Sequence, residues 1–353
     1  MVPQAPTSLS RIAIAVDARL VQLLEAERAK WGSFDGDLLV PLEEISRLVL
    51  AGGKRLRPAF CHWGFVAAGG SELDQRVVDA GAAFELLHAF ALFHDDVMDG
   101  SMNRRGEPAT HVRHSENHST NEWVGESRRF GEGVAILVGD LAFVYADTLL
   151  RGASQASWDM WNELRVELNF GQYLDMLGSA VSERRREKAL RICRYKSGKY
   201  TIERPLHLGA LLADSDSSND LLPHLSAYGL PLGDAFQMRD DVLGAFGETA
   251  VTGKPVGDDL REGKPTPLMA MATSRATAAQ QAVLALVGSP GMSDDDVTRV
   301  QEVISETGAL DELEQQIAAL TDEAVGAIRQ APIGEHVKEE LVALAGFVSW
   351  REV

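Results

Sequence analysis

The chain has 353 residues, and its 52 Asp+Glu against 34 Lys+Arg give a net charge of −18. That balance argues against a nucleic-acid binder, because affinity for a phosphate backbone needs a basic surface. The 45% apolar fraction is enough for a large core, and no unbroken apolar run reaches the roughly 18 residues of a membrane span.

The start, Met1 to Thr7, holds no basic residue and no long apolar segment follows it, so neither a secretory signal nor an Arg-rich transit peptide is expected. Residues 1–10 read as a flexible N-terminus. From there on apolar residues recur at helical spacing: Leu20, Leu23 and Leu24, then Leu38, Leu39 and Leu42, later Ile136, Leu137, Leu141 and Val144, and finally Leu310, Leu313, Ile317 and Leu320. Turn signals at Gly52-Gly53, Gly69-Gly70, Asn103 to Pro108 and Asp214 to Asn219 separate these segments. No break is long or biased enough to be a linker, and no fixed-period repeat is visible. The expected fold is therefore all-α, a single helical domain over residues 11–353. Cys61 and Cys193 belong to no CxxC pair, which points away from a disulfide framework and toward a reducing cytoplasm.

Charge is unevenly spread. The last 63 residues hold 14 acids and 4 bases, which reads as a solvated helical surface. Bases gather instead at Lys54-Arg55-Leu56-Arg57, Arg104-Arg105 and Arg184-Arg185-Arg186.

Ala80–Asp99 reads as a buried helix ending in acid. Asp95 and Asp99 fall one turn apart on one face with Asp96 beside them. Three carboxylates at the end of an apolar helix repel one another unless a cation neutralises them, and hard oxygen ligands at this spacing suit Mg²⁺, completed by waters and substrate phosphates. A second acidic pair, Asp240-Asp241, closes another apolar stretch from Phe236 and Gln237, and is trailed by Lys254, Asp258, Asp259, Glu262 and Lys264. Two acidic clusters with lysines and arginines nearby look like opposite walls of one diphosphate site.

At this point the sequence resembles a trans-isoprenyl diphosphate synthase of the polyprenyl synthetase family, from about Leu38 to the C-terminus. Six motifs match in the family's order: Gly53-Lys54-Arg55-Leu56-Arg57-Pro58, Asp95-Asp96-Val97-Met98-Asp99, Arg104-Arg105-Gly106, Gly171-Gln172-Tyr173-Leu174-Asp175, Lys196-Ser197-Gly198, and Phe236-Gln237 with Asp240-Asp241. The resemblance implies a single all-α bundle of the isoprenoid synthase type with a deep central cleft, the acidic helices facing each other across it. It further implies an enzyme in which an allylic diphosphate loses pyrophosphate, the double bond of isopentenyl diphosphate attacks the resulting carbocation, and a proton leaves.

By the same resemblance, Asp95 and Asp99 hold Mg²⁺ with Asp96 in support and Asp240 holds a further ion, about three in all. Arg104, Lys196 and Lys254 would grip the allylic diphosphate; Lys54, Arg57, His88 and Arg105 would grip isopentenyl diphosphate. The carbonyl of Lys196, the hydroxyl of Ser197 and the amide of Gln237 would face the developing cation, with Gln172 and Lys264 as further substrate contacts and Asp175 beside them. A homodimer is implied as well. His88 lies seven residues before Asp95, on nearly the same helix face. Arg55 alternates away from Lys54 and Arg57 and reads as a surface charge. His111, His114 and His118 sit in a polar stretch and read as no metal site.

Two departures matter. The second acidic region usually reads DDxxD, but its last position here is Gly244, which removes a carboxylate one turn beyond Asp240. The first motif has only two residues between Asp96 and Asp99. In the family, product length is set by side chains upstream of the first Asp, here Ala91, Phe90, Leu87 and Phe84. A small Ala91 leaves the upper pocket open, while Phe90, or Phe84 a turn and a half deeper, closes it. This pattern resembles geranylgeranyl diphosphate synthases, and a twenty-carbon product is expected, with a fifteen-carbon or longer product as the alternative.

Three rival readings are weaker. Glu85-Leu86-Leu87-His88 is an ExxH of the kind found in di-iron bundles, but such a site needs a second ExxH and the chain has none. A non-catalytic partner subunit would be expected to lack acids of the first motif. A class I terpene cyclase has no need of Lys54 and Arg57.

Overall fold

The computed structural model describes residues 5–183, 185–214, 218–247 and 256–350. These are helical nearly throughout. The strands among them are β1 (Asn103–Arg104) and β2 (Glu107–Pro108), an antiparallel pair that matches Asn103 to Pro108 and Arg104 to Glu107. Contacts divide the chain into two compact units, Thr7–His62 with Ser71–Ala153, and Trp63–Gly70 with the chain from Ser154 onward. Where the sequence leads one to expect a single domain, there are thus two centres of packing.

The first unit contains α1 (Thr7–Gly32), α2 (Leu39–Leu50), the start of α3 (Leu56–Ala67), α4 (Gln75–Asp99), α5 (Thr110–Thr120) and α6 (Ser127–Leu149). Helix α1 begins at Thr7, so residues 7–10 form its first turn rather than a flexible start. Helix α4 is the centre of this unit. It starts where Asp74 accepts the Arg76 amide at 2.8 Å and stops at Gly100, whose φ of 67° reverses the chain. Every residue from Ala80 to Leu87 is buried, the mark of a helix with no solvent face. Among the described residues it is the one helix long and apolar enough to cross a membrane, and 61% of that stretch is buried. Its packing on α1, α2 and α6 accounts for the composition.

Beyond Gly100 the chain makes a two-residue hairpin. Both central residues, Arg105 (φ 55°) and Gly106 (φ 78°), have positive φ, the requirement of the mirror-image turn whose twist suits paired strands. Arg105 is held in this conformation by its guanidinium, which donates to the carbonyls of Leu48, at 2.8 Å, and Gly52.

The second unit contains α7 (Gln155–Ala180), α8 (Arg186–Cys193), a ten-residue π-helix (Arg194–Glu203), α9 (Arg204–Ala213), α10 (Leu222–Phe246), α11 (Asp258–Glu262), α12 (Pro267–Arg275), α13 (Ala278–Leu284), α14 (Asp294–Glu306), α15 (Ala309–Gln330) and α16 (Glu335–Ser349). Met238, Val242, Leu260, Leu268, Val300, Ile304, Leu313 and Ile317 form one buried cluster of its core. Three of the C-terminal acids, Asp294, Asp295 and Asp296, open α14, where negative charge complements the helix dipole. Ser293 and Asp296 close a capping box there.

The π-helix is the unusual element, since such segments are rare and mostly a single turn long. It is seated by backbone contact. A methyl group at Gly171 of α7 would stand 2.5 Å from the Lys196 amide nitrogen, and one at Gly233 of α10 would stand 2.7 Å from the Gly198 carbonyl oxygen. Glycine is therefore needed at both positions for the neighbouring helices to touch the segment.

Candidate active site

In the first unit, the last turn of α4 presents Asp95 and Asp99 partly exposed, while Asp96 is buried. Asp96 accepts from Arg104 Nε at 2.8 Å and from its Nη2, so it braces the hairpin arginine and stands back from the two acids beside it. Around His88 are Arg57, Arg105, Arg104 and Arg55, and burial together with these charges holds the ring's pKa well below its usual value. His88 is thus neutral at pH 7, able to offer a hydrogen bond but no charge. Burial also lowers the Arg105 pKa. Lys54 is exposed on the loop before α3, and Arg57 lies in that helix's first turn. The result is a cationic region at the acidic end of α4, chemistry suited to phosphate oxygens.

Arg55 is not the surface charge expected from the alternation. It is buried at positive φ (48°), pairs with Glu85 at 2.5 Å and Asp17 at 2.7 Å, and donates to the Val49 carbonyl at 2.5 Å. Alternation presumes regular backbone, and a left-handed residue turns its side chain inward instead. The same pair accounts for Glu85, whose carboxylate is committed to Arg55 rather than to an ExxH metal. His111, His114 and His118 are likewise buried, on one side of α5. His114 Nε2 lies 3.3 Å from Glu44, and His118 packs its ring on Trp123 and Phe130.

The residues expected to set product length also lie on α4. By helical spacing Phe84, His88, Ala91 and Asp95 share a face, whereas Phe90 is turned away from it. Phe90 packs on His94 (ring centroids 4.7 Å) and on Phe143 of α6 (4.8 Å). Phe84 and Leu87 are fully buried, while Ala91 is partly exposed.

In the second unit, Lys196 opens its side chain from the π-helix onto Asp175 of α7, Nζ to Oδ2 2.5 Å. Gln237 of α10 donates from Nε2 to Asp241 Oδ1 at 2.9 Å. Asp241 is buried, and burial, with the nearby charges of Asp259 and Asp240, pushes its pKa well up. Asp240 is partly exposed. Lys264 Nζ lies 3.2 Å from Asp259 Oδ1 and 2.7 Å from Glu262 Oε2. Asp175, Lys196, Ser197, Gln237, Asp241, Asp259 and Lys264 line one cavity of about 90 Å³. Gln172 is on the same helix as Asp175, three residues earlier. Lys254, expected to bind the allylic diphosphate, lies outside the described residues.

Among the described residues no three His, Cys, Asp or Glu side chains converge closely enough to hold a metal ion by themselves. The donor set nonetheless fits Mg²⁺. It consists of hard carboxylate oxygens, and Asp241 is an acid crowded by two others that a cation would relieve. Mg²⁺ bound by one or two carboxylates takes its remaining ligands from water and phosphate.

A family model for polyprenyl synthetase matches residues 41–306. The chain is 32% identical to a geranylfarnesyl diphosphate synthase of Aeropyrum pernix over 308 residues, 84% of this chain and 89% of that one. It is also 32% identical to a geranylgeranyl diphosphate synthase of Mycobacterium tuberculosis over 314 residues, 85% of this chain and 80% of the other. Among solved structures, a geranylgeranyl pyrophosphate synthase from Corynebacterium glutamicum, complexed with isoprenyl diphosphate and magnesium, superposes with a TM-score of 0.91 at 37% identity, covering 97% of this chain and 99% of its own.

Proposed function

Since the chain belongs to the polyprenyl synthetase family, we propose that it is a Mg²⁺-dependent trans-prenyltransferase that joins isopentenyl diphosphate to an allylic diphosphate and yields geranylgeranyl diphosphate. The observation that carries this reading is the pairing of carboxylates with cations in both units. Asp96, between Asp95 and Asp99 on α4, pairs with Arg104, one of the arginines around His88, and Asp241 and Asp259 share a cavity with Lys196 and Lys264.

In this reading Asp95, Asp99 and Asp240 hold the ions, about three as the family resemblance implies, with Asp96 steadying Arg104. Bound Mg²⁺ supplies Lewis-acid stabilisation to the departing diphosphate. Arg104, Lys196 and Lys254 neutralise the allylic diphosphate as charge develops on it. Lys54, Arg57 and Arg105 hold isopentenyl diphosphate, and neutral His88 donates or accepts one hydrogen bond there. Ser197 and Gln237 present oxygens that stabilise a carbocation without a strongly basic group to quench it. Gln237 is oriented for this by its own amide nitrogen, which is spent on Asp241.

The test is direct. Purified protein with Mg²⁺, isopentenyl diphosphate and allylic primers of five to fifteen carbons is expected to give a twenty-carbon alcohol after dephosphorylation, and no elongated product overturns the reading. Product length has its own test. Phe84 lies eleven residues below Asp95, about 16 Å along the helix axis, and Phe90 only about 7.5 Å. Phe84→Ala is expected to lengthen the product, and Phe90→Ala to do so only if the tail runs on the α6 side.

We also read the protein as a homodimer of the cytoplasm. Phe130, Leu137 and Val144, spaced by sevens on α6, expose an apolar stripe in the single chain, and both cysteines are buried outside any disulfide.

A further inference from the structure

Glu167, Gly171 and Asp175 recur at every fourth position of α7 and form one buried stripe along it. All three meet the chain between Arg194 and Arg204. Asp175 takes the Lys196 ammonium, Gly171 makes room for the Lys196 main chain, and Glu167 receives Lys199 and Arg204 from the far end of the segment. We propose that Glu167 is a positioning residue: by gripping Lys199 and Arg204 together it holds Arg194–Glu203 in the π form, and that form presents Lys196 and Ser197 to the cavity. This deepens the proposed function and rests on it.

Both oxygens of the Glu167 carboxylate are engaged. Oε2 accepts from Arg204 Nε at 2.7 Å, and Oε1 accepts from Arg204 Nη2 at 2.7 Å and from Lys199 Nζ. The two cations are five positions apart. On a regular α-helix, five residues carry the chain about 140° past a full turn, so their side chains would diverge. In a π-helix, residues i and i+5 are hydrogen-bonded partners and stand one above the other. The main chain obeys the same rule here, for the Arg204 amide donates to the Lys199 carbonyl. Backbone and side chains therefore tie the same two residues together, and the carboxylate that joins them favours the π register over the α register. Burial opposes the charge on Glu167, but the bonds from Arg204 and Lys199 outweigh it and hold the pKa below the usual carboxylate value, so the grip is closed at pH 7. Lys196 and Ser197, three and two positions before Lys199, line the cavity with Asp175 and Gln237. A shift of one residue in register turns a helix by about 100°, enough to swing both away from it.

Two measurements test this: steady-state kinetics with each substrate varied in turn, and amide exchange over residues 194–204 followed by mass spectrometry. Glu167→Gln keeps the shape and removes the charge. It is expected to raise KM for the allylic diphosphate about ten-fold, what one hydrogen bond to a charged group is worth, and to leave KM for isopentenyl diphosphate unchanged. It should also lower kcat by up to about 10²-fold, the cost of misplacing reacting groups by about an ångström, and speed exchange over 194–204. Lys199→Gln leaves Arg204 on the carboxylate, so it answers the question even if Glu167→Gln fails to fold. The same pattern at smaller size is expected, and adding it to Glu167→Gln should change kcat no further. A fall in kcat with both KM values and the exchange unchanged reflects only less folded enzyme and overturns the inference. Wild-type kinetics in both single variants overturn it too, and either result leaves the proposed function standing. No turnover by the unaltered protein overturns both.

Discussion

Arg55 and Glu85 are both nearly inaccessible to solvent and hold each other. Replacing Arg55 by alanine leaves the Glu85 carboxylate buried without its cation, a change that typically costs about 3–5 kcal/mol, so Arg55→Ala is expected to lower the urea midpoint markedly. A parallel loss of activity follows, because the same arginine fixes the loop that carries Lys54. The side chains proposed to act in catalysis behave differently. Asp95→Ala and Lys196→Ala are each expected to reduce kcat by about 10²–10³-fold, the cost of removing one group that stabilises developing charge, with the chain still folded by circular dichroism. Most of these positions can be read from the order of short motifs, since Asp95, Lys196 and Gln237 each sit inside a recognisable string. Arg55 cannot be read that way, for its role depends on a positive φ that no residue pattern announces. The packing of the Asp259 carboxylate against Gly244 escapes for another reason: it is a tertiary contact across fifteen positions of chain.

Among the elements, α6 offers the plainest test. Its stripe of Phe130, Leu137 and Val144 is 38%, 67% and 56% exposed, a row of apolar surface that a second copy would cover. Leu137→Glu places a charge in the middle of that row and is expected to halve the mass seen by light scattering; an unchanged mass removes α6 as the interface. Helical periodicity reveals α6, α14 and α15 well, because each has one apolar face. It reveals α4 less well, since a helix buried all round has no period to detect and passes for a membrane span by composition. The π-helix has no sequence signature of its own. What hints at it is indirect, the glycines Gly171, Gly198 and Gly233 standing in three separate segments that the fold brings into backbone contact.

At the scale of the whole molecule, stability depends on histidines kept neutral. Burial lowers the pKa of His62 in the first unit and of His207 in the second from 6.5 to about 4, with Arg204 adding to the effect at His207. The unfolded chain takes up these protons near pH 6.5 and the folded chain only near pH 4. Stability from both groups is therefore complete above pH 6.5, declines as pH falls through that window, and stops declining below about 4. Tm measured from pH 7.5 to 4 should show this fall, and His207→Gln should flatten part of it. Backbone packing around the π-helix has a consequence of another kind. Where Gly171 meets Lys196 and Gly233 meets Gly198, main chain rests on main chain, and no substitution there can be small. Along α4, by contrast, Phe84, Phe90 and Ala91, proposed to bound the tail, meet their neighbours through side chains rather than main chain. In the proposed reading, exchange is thereby confined to the end that measures the tail, while the end that handles diphosphate is locked, and a scaffold of this kind can change what it makes without relearning how to make it.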